Sequence, residues 1–110
     1  MHTNFIQDKI EAEAEDLILF IENDHDLYFQ RFVPIIKNIQ RRKKRGDYDH
    51  SKAPKLWSYI VDAGAKKYHK ECKVLNYKWH EQFPKEVRNC ASHLFANKYL
   101  EEIFFNGYEI

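Results

Sequence analysis

The chain has 110 residues, which is enough for one domain burying about 65% of its unfolded surface around a single core and too few for a second. Hydrophobic residues make up 44% and aromatics 15%, with three Gly and three Pro. This composition excludes a disordered tail, and no apolar run approaches the ~20 residues of a bilayer span. The net charge of +1 hides an uneven distribution, because residues 1–26 carry eight acids against one Lys whereas residues 27–46 carry seven bases and no acid, so one block is expected to face the other.

The hydrophobic periodicity is helical throughout. In NFIQDKIEAEAEDLILFIEN, Ile6, Ile10, Ala14, Leu17 and Ile21 recur at spacings of three or four beside Ile18 and predict an amphipathic helix with its acids on the other face. Asp8 and Glu11 fall in its first turn, where the macrodipole favours negative charge. Asp24 to Asp26 then offer N-cap groups to a second helix carrying Phe29, Phe32, Val33, Ile36 and Ile39 and stopping at Gly46. Pro34 predicts a kink in it, or a short helix followed by a longer one, because proline has no amide donor and biases Val33 away from the α region.

A third helix repeats Ala53, Leu56/Trp57, Ile60/Val61, Gly64/Ala65, Tyr68 and Cys72, with Asp49 or Ser51 as cap and Pro54 in the first turn. Gly64 in mid-helix costs roughly 1 kcal/mol relative to Ala, so a close helix crossing is expected there. A connector follows, with one helical turn opened by Asn76. Pro84 starts a last helix with Val87, Cys90/Ala91, Leu94/Phe95 and Ile103/Phe104, ending before Gly107. No segment alternates well enough for a strand. The expected fold is an all-α single domain over residues 1–110, a small bundle of about four helices plus a short helical connector.

Lys37, Arg41, Arg42, Lys43, Lys44 and Arg45 put six cations into nine residues. Three readings of this run stand open. It can hold nucleic-acid phosphate and release about 0.9 counterion per contact, it can meet a protein partner's acidic face, or it can be a solvated helix end whose cations complement the dipole. In a eukaryotic setting the same run reads as a nuclear import signal. His69-x2-Cys72 and Cys90-x2-His93 form a chemically sufficient zinc set if two helices meet there. Both cysteines lie on apolar stripes, however, so they are expected as thiols and no metal or other cofactor is expected.

Asp24-His25-Asp26 and Asp47-Tyr48-Asp49-His50 have the composition of a hydrolase site, but they flank the second helix, whose ends would lie ~30 Å apart if it were continuous over about 20 residues. No phosphate loop, nucleophile elbow or His-Glu-x-x-His helix occurs, and no enzyme is expected. DLYFQRF, YKWHEQF and YLEEIFFNGY are expected as core rather than as stacking platforms, with Phe104, Phe105, Tyr108 and Ile110 in excess and available to a homodimer contact.

The segments IIKNIQRRKKRGDYDHSKAPKLWSYIVDAGAKKYHKE and WHEQFPKEVRNCASHLFANKY resemble small all-helical accessory proteins carried by bacteriophages and some bacterial genomes. The resemblance rests on the basic helix end, Gly46, Tyr48-Asp49, Lys55-Leu56-Trp57, Ala65 to Tyr68, Phe83 and Arg88. It implies an accessory protein acting in the host cytoplasm and brings no reaction or binding residues with it. The opening MHTNFIQDK lacks the regions of a secretory signal, which also makes a cytoplasmic location the expectation. The leading expectation is a non-enzymatic module that contacts DNA or RNA phosphate through Lys37 to Arg45 with Lys52 and Lys55. The alternative is a protein-interaction module that binds a host protein or a second copy.

Overall fold

Helix α1, Phe5–Glu22, buries Ala14, Leu17, Ile18 and Ile21 in the computed structural model, which describes residues 5–73 and 76–104. Ile6 shares their periodicity but is 74% exposed. It sits at the rim of an open groove bounded by Pro84 and Val87, one turn beyond the packed part of the helix. Helix α4, Ala53–Glu71, and helix α6, Lys85–Phe104, pack against α1 and against each other. Among the described residues there is no strand, and the all-α bundle is the architecture.

These three helices close over an aromatic centre. Trp57 stacks on Phe95 at 5.3 Å and on Tyr99 at 5.4 Å between ring centroids, and Phe32 meets Tyr99 edge-on at 4.9 Å. Such pairs add roughly 0.5–1.5 kcal/mol each to the gain from burial itself. Where α1 crosses α4, Gly64 lies directly against Ile21, and a β-carbon there would sit 2.5 Å from Ile21 Cδ1 and closer still to Cγ1. The expected close approach is therefore present, and it explains a glycine in mid-helix.

At Pro34 the second helical region takes one of the two expected forms, a short helical segment followed by a longer helix, and a π-turn joins the two. A one-turn helix α2, His25–Leu27, continues into a π-helical turn, Tyr28–Phe32, and then into α3, Val33–Arg45, with Pro34 in the first turn of α3. The Val33 N–H reaches back to the Tyr28 carbonyl, a bond five residues long. That wider turn accommodates the missing donor and the bulk of the proline ring without ending the helix. It also moves the apolar stripe. With an extra residue in the turn, Phe32 has Leu27 behind it on the inner side, and Phe29 turns outward to 57% exposure. Phe32, Ile35, Ile36 and Ile39 complete the buried side.

The caps follow the sequence with one correction. The Asp24 carboxylate accepts the Leu27 N–H at 2.9 Å, and Asp49 accepts the Ser51 N–H at 3.0 Å ahead of a 3-10 turn, His50–Lys52, that feeds α4. The connector's turn is helix α5, Trp79–Gln82, and it starts after Lys78 and not at Asn76. The Glu81 side chain reaches back to accept the Lys78 N–H at 3.3 Å, a bond that Asn76 is too far upstream to share. The ends of Ile103/Phe104 and the cluster Phe105, Tyr108 and Ile110 lie outside the described side chains, as does the stop before Gly107.

Candidate nucleic-acid interface

The basic run occupies the end of α3, and helical geometry sorts its members. Residues step about 100° around the axis, so with Phe32, Ile36 and Ile39 inward, Lys37, Arg41, Lys44 and Arg45 fall within one outer arc roughly 12 Å long. All four are exposed. Lys43 follows the inner line one turn past Ile39 and is also exposed, beyond the end of the core. Arg42 lies between the two lines, half-buried, with its Nε donating to Asn38 Oδ1 at 2.9 Å.

The acidic block does not cover this arc with ion pairs. Helix α1 packs on α4 and α6, and its paired acids face other partners, with Asp16 accepting the Tyr68 hydroxyl at 2.7 Å and Glu22 accepting the Tyr99 hydroxyl at 2.6 Å and pairing with Lys98. Among the described residues, Lys37, Arg41 and Lys44 have no carboxylate partner, and Arg45 pairs with Asp47 at 3.3 Å.

Gly46 then reverses the chain. Its φ of +77° is left-handed, its N–H donates to the Lys43 carbonyl at 3.1 Å, and the Asp47 N–H donates to the Arg42 carbonyl at 3.0 Å. This double bond pattern closes the helix. The reversal brings Lys52 and Lys55 beside Arg42, and the three cations surround a cavity of about 260 Å³ between the end of α3 and the start of α4. Leu56, Tyr48 and Tyr59 supply its apolar wall, and Asp47 and Asp49 complete it. Tyr48 is held in place, since its hydroxyl lies 3.0 Å from His50 Nδ1 and His50 Nε2 lies 3.3 Å from Asn97 Oδ1 on α6. Burial, then the neighbouring Asp49 charge, pushes the Tyr48 phenol above its ordinary value, so it stays neutral.

Of the eight cations expected to contact nucleic acid, the structure thus places Lys37, Arg41, Lys44 and Arg45 on one outer face and Arg42, Lys52 and Lys55 around the neighbouring cavity, with Lys43 apart. Sequence reasoning missed Tyr48, Leu56 and Tyr59 as members of the same place. The available signal was Tyr59, a large aromatic off the α4 stripe.

The remaining candidates do not assemble. His69 Nδ1 lies 2.7 Å from Gln82 Oε1, and Gln82 Nε2 approaches Cys72 Sγ at 3.8 Å, so this pair engages the connector. Burial, and after it the charges of Glu11 and Glu15, raises the Cys90 thiol above its ordinary value, which places it toward α1. His93 is exposed, and the set His69, Cys72, Cys90 and His93 is not brought together. No group of three or more His, Cys, Asp or Glu among the described residues is arranged to hold a metal ion. Asp24 and Asp49 act as caps at opposite ends of the nearly continuous helical run from His25 to Arg45, on the order of 30 Å apart, and share no site.

The fold and this surface define a small all-α protein with opposite charges on different helices, in which no described helix is long and apolar enough to cross a membrane. No protein-family model matches the chain, and neither a curated protein nor a solved structure resembles it significantly.

Proposed function

We propose that the protein is a non-enzymatic accessory module that binds the phosphate backbone of DNA or RNA through the outer face of α3, extended by Lys52 and Lys55 at the start of α4. The observation that carries this reading is the single exposed arc of Lys37, Arg41 and Lys44, without carboxylate partners among the described residues. Dipole complementation alone covers only part of the arc. The macrodipole acts over the last turn only, and Lys37 and Arg41 stand upstream of that turn.

Fluorescence anisotropy with a labelled random duplex and a labelled single strand, each titrated over several salt concentrations, tests the proposal. Three to five phosphate contacts give a log–log salt slope of roughly −3 to −5. The variant Lys37→Gln/Arg41→Gln/Lys44→Gln flattens that slope, and a native protein that binds neither ligand at low salt removes the reading.

The exposed Leu19 on α1, 58% accessible among acids, supports a second reading in which the outer face of α1 meets a host protein or another copy. Sedimentation velocity at two concentrations checks the copy. A Leu19→Ser variant that sediments as the native chain does at both concentrations counts against that contact.

A further inference from the structure

Phosphates look alike in paired and unpaired nucleic acid, so the α3 face alone does not choose between them. The cavity beside it does. We infer that the cavity between α3 and α4 receives one unpaired base, stacked on Tyr59, so that the ligand is single-stranded nucleic acid; this rests on the phosphate-binding reading above.

Tyr59 is 58% exposed although it stands on a helix fixed in the core by its neighbours Trp57, Ile60 and Val61. Among the described residues its ring has no aromatic or hydrogen-bond partner. An aromatic face that is open and carried on a fixed helix is what base stacking needs, because every base has a π-face. Leu56 lies one turn earlier on α4, and Tyr48, fixed through His50 to Asn97, lines the same cavity. The partly open cavity of about 260 Å³ is below the roughly 300 Å³ at which pockets for drug-sized ligands begin, and it suits a single aromatic ring system.

The charges around it fit a nucleotide. Arg42, Lys52 and Lys55 come from two helices and the turn between them to meet at the cavity. The two acids there are already engaged, Asp47 with Arg45 at 3.3 Å and Asp49 with the Ser51 hydroxyl at 2.6 Å and its N–H at 3.0 Å. Arg42 adjoins the outer arc in sequence, so a strand lying along Lys37 and Arg41 arrives at the cavity. The bases of a duplex are paired and stacked inside and are not free to enter.

Anisotropy with labelled oligothymidylate and with a duplex of equal length decides the matter for native protein, Tyr59→Ala, Tyr59→Phe and Lys37→Gln/Arg41→Gln/Lys44→Gln. The native protein is expected to prefer the single strand by on the order of ten-fold. Tyr59→Ala loses that preference with duplex affinity unchanged, Tyr59→Phe keeps it, and the triple variant weakens both ligands. Equal native binding to the two ligands, or a preference that survives Tyr59→Ala, overturns the base pocket and leaves phosphate binding standing. No native binding to either at low salt overturns both. Because Tyr59 is exposed, its variants are expected to retain the native circular dichroism spectrum, which is recorded alongside.

Discussion

Replacing Gly64 by Ala sets two known effects against each other at one atom. In a helix interior Ala is favoured over Gly by about 1 kcal/mol, because the glycine backbone loses more freedom on folding. Here the added methyl collides with Ile21, which is 2% exposed and β-branched, so its Cγ1 cannot swing aside without leaving a stiff rotamer. Overpacking of this kind costs roughly 1–3 kcal/mol, so Gly64→Ala is expected to destabilise by about 1 kcal/mol net. Urea unfolding followed by circular dichroism measures it, and the corresponding fall in Tm is about 4 °C. A double-mutant cycle with Ile21→Ala isolates the contact. Ile21→Ala alone is expected to cost about 2–5 kcal/mol, and in the Gly64→Ala background about 1–2 kcal/mol less, since the new methyl then occupies the vacated space. If Gly64→Ala instead stabilises by the full helix-propensity gain and the two changes add, α1 and α4 do not cross at this point.

Gly46→Ala tests the left-handed helix stop without any steric contribution, because nothing lies within 4 Å of the added carbon. A loss of about 1 kcal/mol in urea titration is expected, with Gly46→Asn losing less. Burial alone would raise the Asp24 carboxyl, but the Lys67 ammonium at 2.6 Å and the Leu27 N–H outweigh it and hold the group below its ordinary 3.8. A lowered folded value means stability present above the unfolded value and lost as pH falls through the folded one. Asp24→Asn is therefore less stable than the native chain above about pH 4, and urea midpoints of the two converge in stronger acid. Asp24→Ala removes the cap as well and costs about 1 kcal/mol more. The hydrogen bond from Tyr68 to Asp16, aided by burial and by the Asp16 charge, pushes the phenol up to about 12. Its contribution is complete below the ordinary 10 and disappears as pH rises through the folded value, so an absorbance titration shows a component near pH 12 that Tyr68→Phe lacks.

Features set by local chemistry were readable from the residues themselves. Asp24, Asp49, Pro54 and Gly46 mark helix ends because caps and stops depend on a few neighbouring backbone groups. Gly64 announced a close crossing by being a poor choice in any other role. At Pro34 the division into a short and a longer helix was legible, but the π-turn that joins them was not, and the connector's turn was misread, since it takes its cap from Glu81 and leaves Asn76 outside. The candidate site was half visible. The cations were counted from sequence, but their division between an outer face and a cavity depends on where Gly46 sends the chain. The apolar wall of Tyr48, Leu56 and Tyr59 exists only once α4 has packed beside α3. Likewise the His and Cys pairs have suitable spacing on each helix, yet spacing within a helix says nothing about which way two helices turn toward each other.

The two tryptophans occupy unlike positions. Trp57 is 1% exposed at the centre, whereas Trp79 is half-buried on the connector, with Lys66 Nζ 5.0 Å and Arg88 Cζ 4.8 Å from its ring. Arg88 is itself tied to the Phe83 carbonyl at 2.9 Å and to Asp62 at 3.2 Å, so the indole is fixed to α4 and α6 through one guanidinium. The chain thereby carries two optical reporters at different depths. Trp57 emission follows collapse of the whole bundle, while Trp79 emission responds when the connector lifts from its cationic seat, and a Trp79→Phe variant separates these signals without a dye.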